Sequence, residues 1–171
     1  TGGVQELLGI MPDLTTLGKA MANGYPLAAV VGRHDVMQGA LRSWISSTAA
    51  AETTGLAAAK AVFDWHERVD VAERLARAGG MMQEIIGTAL TAAPWVGVRA
   101  EGPAPMWRLI ADDPEQLDAL VAAAARQGVL LKRGAYQFAA IAHDQKAMEV
   151  IAHAMPAITQ ALLPGPRRVG D

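Results

Sequence analysis

The feature that most constrains this chain is how short its apolar runs are and how regularly they change period. β-prone stretches at residues 14–17, 27–32, 95–100, 106–111, 129–132 and 138–142 alternate with segments whose apolar side chains recur every three or four positions. That alternation is the pattern of an α/β protein, in which small sheets are covered by helices. No run reaches the roughly 18 to 20 apolar residues that a bilayer-spanning helix needs, and the Ala-rich stretch 55–63 is broken by Lys60. A membrane is not expected as a partner.

Residues 14–17 and 27–32 read as two short buried strands, with Asn23-Gly24 and Tyr25-Pro26 as the turn between them and Lys19 in the polar gap. "TTGLAAAKAVFDWH", 53–66, reads as a helix. Val71, Leu75, Ala78, Met82, Ile85 and Ile86 continue a helical stripe towards Leu90, weakened by Gly79-Gly80. Asp112 or Asp113 ahead of Pro114 is an N-cap signal and Gly128 a helix stop, with strands on either side of that helix. Met148, Ile151, Met155, Ile158 and Leu162 mark a last helix, which Pro156 is expected to kink or split, and the tail 164–171 is expected to fray. The organisation expected is an α/β part over 1–66, a helical connector over 67–93 and a β-β-α-β-β-α domain over 94–171.

Composition removes several functions. About half of the 171 residues are hydrophobic and the formal net charge is −2, so a packed core is expected and the basic footprint of a nucleic-acid binder is missing. Cysteine is absent, which excludes disulfides and thiolate chemistry. His34, His66, His143 and His153 show neither H-x₃-H nor H-E-x-x-H spacing, so no metal is expected. There is no phosphate-binding glycine loop and no G-x-S-x-G elbow.

Lys19 is different in its setting. A lysine amine becomes a nucleophile towards carbonyl groups when its surroundings keep it partly neutral, and Lys19 follows a strand directly after Gly18, where a bulky ring could approach the backbone. On pattern alone a solvated turn charge is the more economical reading, since most lysines are solvated surface charges.

"PDLTTLGKAMANGYPLAAVVG", 12–32, resembles the segment that carries the pyridoxal-phosphate lysine in class III aminotransferases, P-D-[IL]-x-[TS]-[LF]-[GS]-K-[AI]-[LMI]-x-x-G-x-P-[LIV]-[GSA]-A. "GGVQELLGIMPDL" resembles the family's approach to this strand, and "SSTAAAETTGLAAAKAVFD" its segment T-[FY]-x-G-[NH]-P-x-[AG]-x-A-A-A. "KAMANGYPLAAVVG" and "FAAIAHDQKAMEVI" are similar to the glutamate-1-semialdehyde 2,1-aminomutase-like branch.

The resemblance implies the C-terminal portion of a fold-type-I enzyme: the end of the cofactor-binding large domain, a connecting helix and the small α/β domain. It implies PLP-dependent amino-group transfer, as an aminotransferase or aminomutase, between a small-molecule amino donor and a carbonyl acceptor, in a cytoplasmic homodimer. Lys19 would hold pyridoxal 5′-phosphate through a Schiff base and shuttle a proton. Thr48 matches the threonine that binds the cofactor phosphate, although Ala49, Ala50, Ala51, Glu52 and Thr53 depart from the family pattern around it. An N-cap or ST-turn explains Thr48 equally well. Arg133 falls where a guanidinium could hold a substrate carboxylate, a solvated strand-end arginine being the more economical reading. The family's acidic partner of the pyridine nitrogen, its phosphate loop and its ring-stacking aromatic belong upstream of Thr1, so the chain alone is expected to be inactive. The alternatives are a catalytically silent α/β domain that keeps the scaffold for binding or assembly, and a cofactor-free Schiff-base lyase.

Overall fold

The computed structural model describes residues 3–45, 48–49 and 52–163, so the tail expected to fray lies outside the described residues. The chain divides into two compact units, Thr1–Val71 and Ala72–Asp171.

In the first unit a short helix α1 (Gly3–Leu7) precedes a two-stranded antiparallel ribbon, β1 (Leu14–Leu17) and β2 (Ala29–Gly32), with Leu14 opposite Gly32 and Leu17 opposite Ala29. The Thr15 hydroxyl donates to Gln5 Oε1 at 3.0 Å and ties α1 to the ribbon. β2 begins later than residue 27 because Leu27 N–H closes back on the Tyr25 carbonyl at 2.9 Å around Pro26, a tight turn that uses up Leu27 and Ala28. At the far end a Cβ on Gly32 would stand 2.2 Å from the Asp13 carbonyl oxygen, so only glycine lets the strands meet there. A short helix α2 (His34–Met37) follows, and Arg33 ahead of it pairs with Asp13 at 2.9 Å and with Asp35 at 2.7 Å. The Ala-rich helix α3 (Thr53–His66) has the span its sequence predicts.

The expectation that both strands are buried is corrected. Leu14, Leu17, Val30 and Val31 are between 41% and 50% exposed, because among the described residues no second layer lies on the ribbon. Among the described residues of this unit the buried hydrophobics are Ala22, Ala59 and Val71, too little apolar volume to make a core of its own.

The second unit holds the core. Antiparallel strands β3 (Val98–Glu101), β4 (Met106–Ala111) and β5 (Gln137–Phe138) run in the order β3-β4-β5. Around them stand α4 (Val71–Thr91), α5 (Pro114–Arg126) and α6 (Gln145–Gln160). Ile86, Val96, Trp107, Leu120, Met155 and Ile158 are the largest fully buried side chains. The stripe read from the sequence of α4 contributes Ala78, Met82, Ile86 and Leu90 to this core. Gly79 does not weaken the helix: a Cβ there would lie 1.7 Å from the Ala104 carbonyl oxygen, so the glycine admits the loop before β4.

Four local expectations need correction. Residues 95–97 are not strand, because Pro94–Val96 form a 3-10 turn and Gly97 takes φ 65°, which lets β3 start only at Val98. Residues 129–132 are not strand either: the Gln137 side chain accepts from Lys132 N–H at 3.0 Å and donates to the Lys132 carbonyl at 2.8 Å, so a side chain replaces the partner strand. The strand expected over 138–142 shrinks to Gln137–Phe138, the His143 ring accepting from Ala140 N–H at 3.0 Å and turning the chain towards α6. Helix α6 is not split in two at Pro156 but continues to Gln160. An interior proline costs about 3 kcal/mol, and burying Met148, Met155 and Ile158 outweighs that at about 1.5 to 3 kcal/mol each. Among the described residues no helix is long and apolar enough to cross a membrane.

Candidate active site

Lys19 stands at the end of β1, where the chain leaves the ribbon. Gly18 is fully extended, and Lys19 then takes φ 49°, the left-handed region that L side chains rarely enter. A 3-10 turn, Lys19–Met21, follows, with Met21 N–H donating to the Gly18 carbonyl at 3.2 Å. The Lys19 carbonyl accepts twice, from Ala22 N–H at 3.3 Å and from Asn23 N–H at 3.1 Å. Helix α3 lies against this turn, and its Gly55 comes close enough that a Cβ would meet Leu27 Cβ at 3.4 Å and the Pro26 carbonyl oxygen at 3.5 Å. Beside Gly18 and Ala20 a cavity of about 540 Å³ opens, walled by Leu17, Met21, Val62, Phe63, His66 and Glu67.

The Lys19 side chain is exposed, and among the described residues its amine has neither a hydrogen bond nor an ion pair. The burial expected to keep the amine neutral is therefore not supplied by these residues. Gly18 adds a second observation. Its extended conformation suits any residue, and a Cβ there would meet only Ala28 Cβ and the Leu27 carbonyl oxygen, both at an ordinary 3.9 Å. Among the described residues nothing requires glycine next to the lysine.

Thr48 sits in an exposed turn and its hydroxyl has no partner among the described residues. It is not the cap of α3. Glu52 fills that position, its carboxylate accepting from Thr54 N–H and Gly55 N–H, each at 2.9 Å, and from the Thr54 hydroxyl at 2.6 Å. These bonds, the Thr54 hydroxyl first, hold the Glu52 carboxyl below its usual range. A glutamate cap escapes a search for Ser, Thr, Asp or Asn, although "ETTG" directly before the alanines is its trace.

Arg133 belongs to the second unit and is engaged: Nη2 meets Asp118 Oδ2 at 2.8 Å and Nε meets Oδ1, an arrangement that raises the guanidinium pKa further. A substrate carboxylate there would have to displace Asp118. Lys19 and Thr48 thus share the first unit, neither functional atom having a partner among the described residues, while Arg133 is committed to Asp118.

A model of the aminotransferase class-III family matches residues 2–155. The 2'-deamino-2'-hydroxyneamine transaminase of Streptomyces kanamyceticus is 36% identical over 135 residues, which are 78% of this chain and 34% of that protein. The glutamate-1-semialdehyde 2,1-aminomutase of Neisseria meningitidis serogroup C is 62% identical over 37 residues, 22% of this chain and 9% of that protein. The FumI protein of Sphingopyxis sp. MTA144, solved in its PLP internal aldimine form, superposes with a TM-score of 0.84 at 25% identity over 94% of this chain and 39% of that one. The chain spans about a third of the length of the transaminase it matches.

Proposed function

Because this chain belongs to the class-III aminotransferase family, we propose that it is part of a longer enzyme that transfers an amino group with pyridoxal 5′-phosphate, and that Lys19 is its Schiff-base lysine. The observation that carries the proposal is Lys19 itself: its amine is unpaired among the described residues, and its backbone takes a left-handed φ directly at a strand end. The donor set fits the cofactor. A primary amine without a competing partner among the described residues suits an aldehyde, and a hydroxyl at Thr48 equally unpartnered among them suits a phosphate oxygen.

When bound, the cofactor supplies an aldehyde for covalent attachment and a ring that takes up the electron pair released at the substrate carbon. Lys19 Nζ holds it in the resting enzyme. Lys19 Nζ would also be the base at the site, able to accept the proton from the substrate Cα and hand it on. Thr48 would hold the phosphate by donating its hydroxyl to it. The substrates are an amino acid or amine as donor and a carbonyl compound as acceptor, with transfer between molecules and transfer within one molecule both represented among the relatives.

The uncovered ribbon supports assembly into a homodimer and packing against further parts of a longer chain, since faces as apolar as Leu14, Leu17, Val30 and Val31 are normally covered. In that enzyme residues 1–66 close the large domain, 67–93 connect and 94–171 form the small domain, and the chain by itself is inactive. The test is spectroscopic: the protein loaded with pyridoxal phosphate shows a visible absorption band that Lys19→Ala abolishes together with turnover while circular dichroism is unchanged. A band and turnover that survive the substitution would leave the silent scaffold as the better account.

A further inference from the structure

A cavity of about 700 Å³ lies within the second unit, and the reading of Lys19 makes no use of it. Met82 and Ile86 of α4, Trp107 of β4, and Val150 and Ile151 of α6 wall it, so its interior is apolar and of the size that holds small molecules. It opens where the sequence predicts a strand over 129–132. The Gln137 side chain holds the backbone of Lys132 in place of a neighbouring strand, and Val129 to Lys132 line the cavity.

Two observations say what the cavity lacks. Trp107 is 1% exposed, and among the described residues its indole Nε1 is buried without a hydrogen-bond partner. Buried donors are nearly always paired, so this wall is incomplete as the chain stands. The second observation is charge. Lys132 and Lys146 line the cavity and are exposed, whereas Met82, Ile86 and Trp107 are buried, which sets the lysines at its mouth and the apolar surface at its floor. Neither lysine has a carboxylate partner among the described residues, and Lys132 Nζ stands 4.9 Å from the centre of the Phe138 ring instead. His143 accepts Ala140 N–H at Nδ1, so its neutral ring carries an N–H at Nε2. The carboxylate of the lining, Asp144, is occupied in capping α6, where it accepts from Ala147 N–H at 3.0 Å. The lining thus sets two positive side chains against one negative.

We infer that this cavity binds a small apolar monocarboxylate. The hydrocarbon or aryl body lies on Met82, Ile86 and the Trp107 ring, where an acceptor along it is offered the indole N–H, and the carboxylate faces Lys132 and Lys146 at the mouth. One surplus positive charge matches one carboxylate, and the apolar floor favours a ligand with a body over a strongly hydrated inorganic anion. The site is independent of the assignment of Lys19.

The test is a titration of the full chain followed on its indole N–H resonances, that of Trp107 being identified by its loss in Trp107→Phe. Phenylbutyrate is the probe, and phenylbutanol, the same body without the charge, is the control. Phenylbutyrate should shift the Trp107 resonance saturably and leave those of Trp44 and Trp65, in the first unit, unmoved. Phenylbutanol should bind about tenfold more weakly, the size of effect that a charge-assisted contact contributes. Combining Lys132→Met with Lys146→Met keeps the apolar stems and should bring acid and alcohol within about twofold of each other. Should that double variant fail to fold by circular dichroism, Lys146→Gln alone decides the matter, with a severalfold loss of affinity for phenylbutyrate and none for phenylbutanol. The absence of a saturable Trp107 shift overturns the inference. So does equal binding of acid and alcohol by the unsubstituted chain, or a preference for the acid that survives the lysine substitutions. None of these outcomes touches the assignment of Lys19.

Discussion

The Ala104 carbonyl oxygen occupies the place where a side chain on Gly79 would begin, 1.7 Å from an ideal Cβ, in the middle of the long helix α4. Gly87, two turns later on the same helix, has nothing within 4 Å of such an atom. The two glycines therefore answer to different physics, and alanine at each should move stability in opposite directions. Gly79→Ala is expected to destabilise the second unit by about 1 to 3 kcal/mol, the usual cost of forcing an extra methyl into packed backbone. Gly87→Ala should stabilise it by about 0.5 to 1 kcal/mol through helix propensity alone. Urea unfolding of both variants checks this, and a shift of the same sign in both would contradict the contact.

The Glu52 cap predicts a pH effect whose sign is fixed by hydrogen bonding. The carboxylate is held below its usual range in the folded chain, so its contribution is complete above the ordinary glutamate value of about 4.3 and is lost as pH falls through the lowered folded value. The Thr54 and Gly55 amide resonances should titrate with a midpoint below that of a free glutamate, and Glu52→Gln should remove the titration. A midpoint at or above the ordinary value would show that the cap does not form in solution.

Much of this fold is visible in the sequence, and what is not visible has a common cause. The spans 14–17, 53–66 and 106–111 are those observed, as is the Asp113 to Gly128 frame of α5, because each rests on local signals: β-prone residues, an alanine run, a capping aspartate before proline. Residues 129–132 and 138–142 fail because what replaces a ladder there is one side chain, Gln137, and one ring, His143, which no periodicity announces. Pro156 and Gly79 mislead in the same way: a helix rule based on one residue is overruled by burial in the one case and by the close approach of Ala104 in the other. Lys19 and Thr48 enter the proposed site through family resemblance, whereas the left-handed backbone of Lys19 and the cap at Glu52 are set by local packing and hydrogen bonds that no motif announces.

Thr48 carries an expectation of its own. If its free hydroxyl serves the cofactor phosphate, Thr48→Ala should weaken pyridoxal phosphate binding by about 1 to 3 kcal/mol, the cost of leaving a charged acceptor one hydrogen bond short. Helix α3 should be unaffected, since Glu52 and not Thr48 caps it. An unchanged Kd for the cofactor would remove Thr48 from the site.

The uneven distribution of core predicts uneven protection. Amides of Trp107, Leu120 and Ile158 lie in segments packed into one core and should exchange slowly in the chain studied alone. Amides of β1 and β2 should exchange fast there, because the buried residues around them are few and small. Slow exchange over residues 14–32 in a monodisperse monomer would show that the first unit stands without further partners, against the proposal that a longer enzyme covers it.

A bond between Lys19 and the cofactor can be trapped and located on the chain. Borohydride reduction of the protein loaded with pyridoxal phosphate, followed by peptide mass mapping, should place one pyridoxyl group on the peptide that contains Lys19 and abolish the visible absorption band. A label confined to Lys60, Lys132 or Lys146, or no label on a folded, loaded protein, would contradict the account.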